Sequence, residues 1–201
     1  GWSATDVGSP AMGGSSSEAG GTWTVAGGGI DIWGTADAFH FASRDIRGDA
    51  SIVVRVDSME SPGTYAKSGI MLRSGTGADA AYAFVFTTAG YIGFDCRKAA
   101  GASSYNAGTE SGTAPRWLKL TRVGNRYSGY YSNDGVNWTM LGGVQELVLP
   151  RTAKVGLAVN ANDNEALNSS AFSSLDIQSL TSSRVNFAKY QGMSANSEAA
   201  G

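Results

Sequence analysis

The sequence predicts an all-β protein, folded as an antiparallel β-sandwich. Three observations carry this expectation. Nearly every hydrophobic segment alternates apolar and polar residues with period two, the spacing that turns one face of a strand toward a core. The breaks between segments hold Gly, Asn, Asp or Pro, the residues that tight turns require. Composition agrees: of 201 residues 28 are Gly and only 16% are charged, a balance that suits short strands and argues against a helical bundle.

Taken in order, Thr22 to Val25 and Ile30 to Trp33 flank the glycines Gly27, Gly28 and Gly29 and read as a hairpin. Phe39-His40-Phe41 alternates next. Further strands are expected at Ala50 to Val56, Ser68 to Arg73, Ala81 to Thr87, Tyr91 to Arg97 and Arg116 to Val123. Arg126 to Tyr131, Trp138 to Leu141, Val155 to Asn160 and Ala171 to Ile177 complete the series. Asn133-Asp134-Gly135 is a hairpin signal, because Gly accepts the positive φ such a turn demands. Only Glu165 to Leu167 suggests a helical turn. About residue 178 the composition changes, so residues 1–178 are read as the sandwich and 179–201 as a linker followed by the start of another element.

Charge and cysteine content exclude several functions. The formal net charge is −2, so no basic field draws nucleic acid or anionic lipid. No apolar stretch approaches the roughly 20 residues of a membrane span. The single cysteine, Cys96, lies in Tyr91-Ile92-Gly93-Phe94-Asp95-Cys96 on the side of Ile92 and Phe94, and reads as an inert buried thiol. One histidine and one cysteine leave little for a Ser-His-Asp, Cys-His or zinc centre. A beginning at Gly1-Trp2 reads as a module excised from a longer chain.

Several strings resemble the bacterial concanavalin A-like lectin/glucanase sandwiches, a laminin G-like group related to DUF1349 proteins. They are Gly1 to Gly8, Gly29 to Phe41, Tyr65 to Arg73, Tyr130 to Trp138 and Lys154 to Val159. Together they span about residues 1–177 in order. Val185 to Lys189 and Ser194 to Glu198 are similar to the first residues of a discoidin-like domain. The resemblance implies a concanavalin A-like jelly roll, exported or displayed on a bacterial surface and joined to neighbouring domains. Glucanases of this shape carry a Glu-x-Asp-x-Glu run on one strand face, and this chain has none. Asp57 and Glu60 are spaced to point to opposite faces.

The expectation is therefore a monomeric, non-catalytic module that holds a polysaccharide or other glycan. A structural or adhesive spacer, or a hydrolase with an unfamiliar carboxylate pair, stands as an alternative. The candidate sugar site is the face opposite Ile70/Leu72 and Ile92/Phe94/Cys96. It carries Lys67, Arg73, Tyr91, Asp95 and Arg97 beside Gly69 and Gly93, whose missing side chains would open space for a ligand. Trp33 is a candidate stacking platform and His40 a candidate ligand contact. Asn160, Asn162, Asp163, Asn164 and Glu165 crowd one oxygen-rich loop, a candidate Ca2+ site with hard ligands.

Overall fold

Alternation becomes strand pairing in the computed structural model, which describes residues 1–180 and contains sixteen strands and no helix among them. In chain order the first eight are β1 (Ser3–Val7), β2 (Ser15–Ala19), β3 (Thr22–Gly29), β4 (Ile32–Trp33), β5 (Ala36–Asp37), β6 (Phe39–Arg47), β7 (Ala50–Met59) and β8 (Lys67–Arg73). They are followed by β9 (Tyr82–Thr87), β10 (Tyr91–Arg97), β11 (Tyr105–Ser111), β12 (Arg116–Val123) and β13 (Arg126–Ser132). The last three are β14 (Thr139–Glu146), β15 (Thr152–Asn160) and β16 (Asp163–Ser179). The discoidin-like strings and almost all of the expected linker lie outside the described residues.

Two seven-stranded antiparallel sheets form the sandwich. The front sheet runs β1-β6-β15-β8-β9-β10-β11 and the back sheet β14-β13-β12-β7-β16-β3-β2, with β4-β5 as a separate small hairpin. Between the sheets lie Ile70 and Leu72 of β8, Val85 of β9, and Ile92, Phe94 and Cys96 of β10. Ile52, Val54, Val56, Leu118 and Leu120 meet them from the back sheet, all fully buried. Each such side chain contributes roughly 1.5–3 kcal/mol of transfer free energy. The alternation read from β8 and β10 thus assigns their faces correctly.

The Asn133-Asp134-Gly135 turn joins β13 to β14 as expected. Asp134 accepts the backbone N–H groups of Val136 and Asn137, and these bonds hold its carboxyl well below the usual range. Two other local expectations are overturned. The glycines Gly27 to Gly29 end strand β3 instead of turning a hairpin, and β3 pairs with β2 and β16. A Cβ on Gly27 would lie 2.0 Å from the Val159 carbonyl oxygen, so glycine is needed there for close approach of the sheets. Glu165 to Leu167 belongs to a register shift near the start of β16, not to a helical turn.

The outer face of the front sheet is the main departure from expectation. At one end it is covered rather than open. Phe39, Phe41, Met71, Tyr82, Phe84 and Phe86 form a second apolar layer there, closed by Ile32 of the β4-β5 hairpin. Asp37 of β5 locks that hairpin down. Its Oδ1 and Oδ2 accept Arg97 Nη2 and Nη1 at 2.7 and 2.6 Å, a bidentate pair. Arg73 Nη1 stands 2.7 Å from the same Oδ2. Both arginine side chains are fully buried, and burial pushes the Arg73 pKa down despite the attraction of Asp37. Removing one partner of such a buried set leaves charge uncompensated, which costs about 3–5 kcal/mol. Asp37→Ala is therefore expected to lower the thermal midpoint by roughly 10 °C in a circular-dichroism melt. An unchanged midpoint would show that the hairpin is held some other way.

Candidate functional site

Beyond the covered end, the same sheet face opens into a groove of about 740 Å³ lined by Asp31, Trp33, Tyr65, Lys67, Gly90, Tyr91, Asp95, Asn106, Thr109, Glu110 and Ser111. Strand pairing explains the gathering. β8, β9 and β10 are adjacent and in register, so Lys67 at the start of β8, and Tyr91 and Asp95 of β10, project from the same face. The edge strand β11 adds Asn106 opposite Asp95. The 30–38 segment that crosses the face to deliver Asp37 also brings Asp31 and Trp33 to the groove wall.

Four of the seven residues expected to bind sugar meet here: Trp33, Lys67, Tyr91 and Asp95. Three do not. Arg73 and Arg97 are sealed under the hairpin, where Arg97 also donates to the carbonyls of Trp33, Gly34, Ala80 and Ala102. They hold the groove's neighbour in place and cannot reach a ligand in the groove. His40 points to the other side of the front sheet, between the sheets. Its ring packs beneath Gly14, and its Nδ1 stands 2.7 Å from Asp6 Oδ1. The space expected at Gly93 is also taken. A Cβ there would meet the Phe86 ring at 2.5 Å, so this glycine admits an aromatic side chain of the protein itself.

Polar groups in the groove are organised rather than simply solvated. Lys67, 3% exposed, donates from Nζ to Asp31 Oδ1 at 2.5 Å and to the Tyr65 carbonyl at 3.2 Å. Asp95 is 2% exposed, and its Oδ1 accepts Asn106 Nδ2 at 2.7 Å. Burial raises the Asp95 carboxyl to about 7, against the lowering effects of Asn106 and Lys67. The Tyr91 phenol is likewise pushed up to about 12 by burial and by the nearby Asp95 carboxylate. Trp33 and Tyr65 are 40% and 53% exposed, unusual for large rings, and wall the opening.

Sequence reasoning missed Asp31, Tyr65, Asn106 and Glu110. Asn106 and Glu110 sit on an edge strand whose apolar side chains, Tyr105 and Ala107, are confined to its start, too short an alternation to mark a strand. Asp31 lay in plain view as the residue alternating with Trp33.

Chain similarity points to the fold alone. No protein-family model matches the chain, and no curated protein matches it. Solved structures do. A functionally unknown protein from Saccharomyces cerevisiae is similar over 89% of this chain and 97% of its own, with TM-score 0.68 and 16% identity. The carbohydrate-binding module CBM66 from Bacillus subtilis is similar over 88% and 95%, with TM-score 0.52 and 14% identity. A GH43 protein from Bacillus licheniformis is similar over 80% of this chain, with TM-score 0.61 and 14% identity, and this chain spans 33% of that protein. The architecture is a lectin/glucanase-like β-sandwich.

Three side chains of the oxygen-rich loop are taken up by backbone N–H groups, two of them where the chain enters β8. Asn160 is buried, with its Oδ1 accepting Lys67 N–H. Asn162 Oδ1 accepts Tyr65 N–H, and Asp163 Oδ1 accepts Glu165 N–H. No group of three or more His, Cys, Asp or Glu side chains gathers for a metal among the described residues. With one oxygen each of Asn160, Asn162 and Asp163 engaged, thermal midpoints measured in EDTA and in added Ca2+ are expected to coincide, and a rise with Ca2+ would place a metal there.

Asp95 supplies a second test. The folded chain binds its proton more tightly than the unfolded chain does. Its contribution to stability is therefore intact below about pH 4, the unfolded carboxylate value, and is lost as pH rises through about 7. Asp95→Asn keeps an oxygen for Asn106 and removes the charge. The variant should melt several degrees above the parent at pH 8 and within a degree or so of it at pH 4, by scanning calorimetry. Equal shifts at both pH values would contradict the assignment.

Proposed function

We propose that this chain is a non-catalytic carbohydrate-binding module, part of a secreted multidomain protein that acts on polysaccharide. The groove on the front sheet carries the reading. It sets exposed rings of Trp33 and Tyr65, and the half-buried ring of Tyr91, around a floor of ordered hydrogen-bonding groups. Aromatic faces stack against the C–H faces of sugar rings, while carboxylates, amides and an ammonium bond the hydroxyls. The similarity of fold to a carbohydrate-binding module of nearly the same extent supports this reading. So does a fold match confined to a third of a longer GH43 chain, which fits a sandwich carried beside other domains.

A glycan screen on the purified chain tests the proposal. Binding is expected, with Trp33→Ala weakening it tenfold or more at unchanged thermal midpoint, and Tyr91→Ala weakening it as much with a lowered midpoint, since its ring also packs on Phe86. Absence of binding to every glycan would favour the spacer reading.

One observation favours hydrolysis as a second reading. Asp95, with its carboxyl raised to about 7, shares the groove with Asp31 and Glu110, and a raised carboxyl beside other acids suits a general acid. Release of reducing sugar that disappears in Asp95→Asn would establish it.

A further inference from the structure

The charges of the groove do not balance, and the imbalance bears on the ligand. Three carboxylates, Asp31, Asp95 and Glu110, line it against one ammonium, Lys67. Lys67 is committed to Asp31 and to a backbone carbonyl. Neither Asp95 nor Glu110 has an ion-pair partner among the described residues. Asp95 is the informative one. It is 2% exposed, yet among the described residues only its Oδ1 is bonded, to Asn106. Among the described residues its Oδ2 has no hydrogen-bond partner, and it is not one of the sealed polar atoms, so it opens on the groove.

β8 presents Lys67 and β9 presents Tyr82, Phe84 and Phe86. β10 itself presents Tyr91, β11 presents Asn106, and the 30–38 segment presents Asp31. The other cations of this face, Arg97 of β10 and Arg73 of β8, are taken up by Asp37, so none of these groups forms an ion pair with Asp95. A buried carboxylate without a cation is costly to charge, and a ligand that brings one removes that cost.

We propose that the groove selects a protonated amino sugar, a glycan residue bearing a free ammonium, which Asp95 Oδ2 receives. This rests on the carbohydrate-binding reading and deepens it. The surrounding rings suit the same ligand, because Trp33, Tyr65 and Tyr91 line the groove and aromatic π faces attract ammonium as well as sugar C–H groups. Uronate or sulfated glycans would meet three carboxylates and are rejected. An N-acetylated sugar carries no charge to pair with Asp95.

The test is calorimetric titration with matched oligosaccharides of glucosamine, galactosamine and mannosamine. Each is compared at pH 6.5 and low salt with its N-acetylated and its neutral hexose counterpart. At least one free amine is expected to bind tenfold or more tightly than both counterparts. That preference should vanish in Asp95→Asn and fall two- to threefold in Glu110→Gln, which alters an exposed residue at the rim. Equal or tighter binding of the neutral or acetylated forms overturns the inference and leaves glycan binding standing. Putrescine binding as tightly as the sugar overturns it too, by showing a general cation site. Failure of all these sugars, in a chain that binds another glycan in the screen, also overturns it. No binding to any glycan removes both readings.

Discussion

The buried contact between Asp37 and two arginines is the interaction on which the rest of the front face depends. One carboxylate meets Arg97 through two bonds and Arg73 through a close ion contact, all without exposure to solvent. The excess positive charge is spread over carbonyl oxygens of Gly77, Ala78, Ala80, Ala102, Trp33 and Gly34. It is also spread over the faces of Phe39 and Tyr82, with guanidinium carbons 4.9–5.6 Å from the ring centres. Three separate stretches, around residues 30–38, 77–80 and 102–104, are thereby tied to one point. A buried ion set of this kind adds little net stability over an apolar equivalent, but it does specify geometry. Here that geometry is the position of the hairpin, and with it the wall formed by Asp31 and Trp33.

The hairpin divides a single sheet face into two environments. Along β10 the outward residues run Tyr91, Gly93, Asp95 and Arg97, from groove to sealed end. Along β8 they run from Lys67 to Arg73 in the same sense. Phe86 fills the gap over Gly93, so the groove floor is closed by a ring rather than left porous. Asp95 sits near the boundary between the two. Its high carboxyl pKa follows from that place: deep enough to lose water, too far along to share the arginines' charge.

Fold and site were legible in the sequence to different degrees. Strands β7 to β10, β12, β13 and β15 were read closely, because both the core and the register are written in period-two alternation when one face is buried. Strands β1, β2 and β11 were not, since edge strands contribute backbone bonds and few buried side chains. Their residues, such as Ser15–Ala19, therefore carry no apolar signal. At the site, alternation identified the correct face and the correct row of polar residues. It could not say that half of that face is roofed, because the roof comes from a segment more than thirty residues upstream, whose only mark is a buried Asp in a two-residue strand. Arg73 and Arg97 looked like ligand donors for the same reason: buried and exposed arginines look alike in a pattern, and only the partner Asp37 separates them.

Charge pairing on this face then follows a simple order. Each cation that projects from β8 or β10 meets a carboxylate delivered by the 30–38 segment, Lys67 by Asp31, and Arg73 and Arg97 by Asp37. Asp95 is the exception, an acid of the sheet itself for which the segment supplies nothing. Desolvated charges in folded chains are ordinarily paired. The unpaired Asp95 answers the same rule by holding its proton up to about pH 7. The covered end of the sheet and the open end are thus two outcomes of one rule: the chain completes its own pairs where it needs a rigid support, and leaves one incomplete where that support presents a surface.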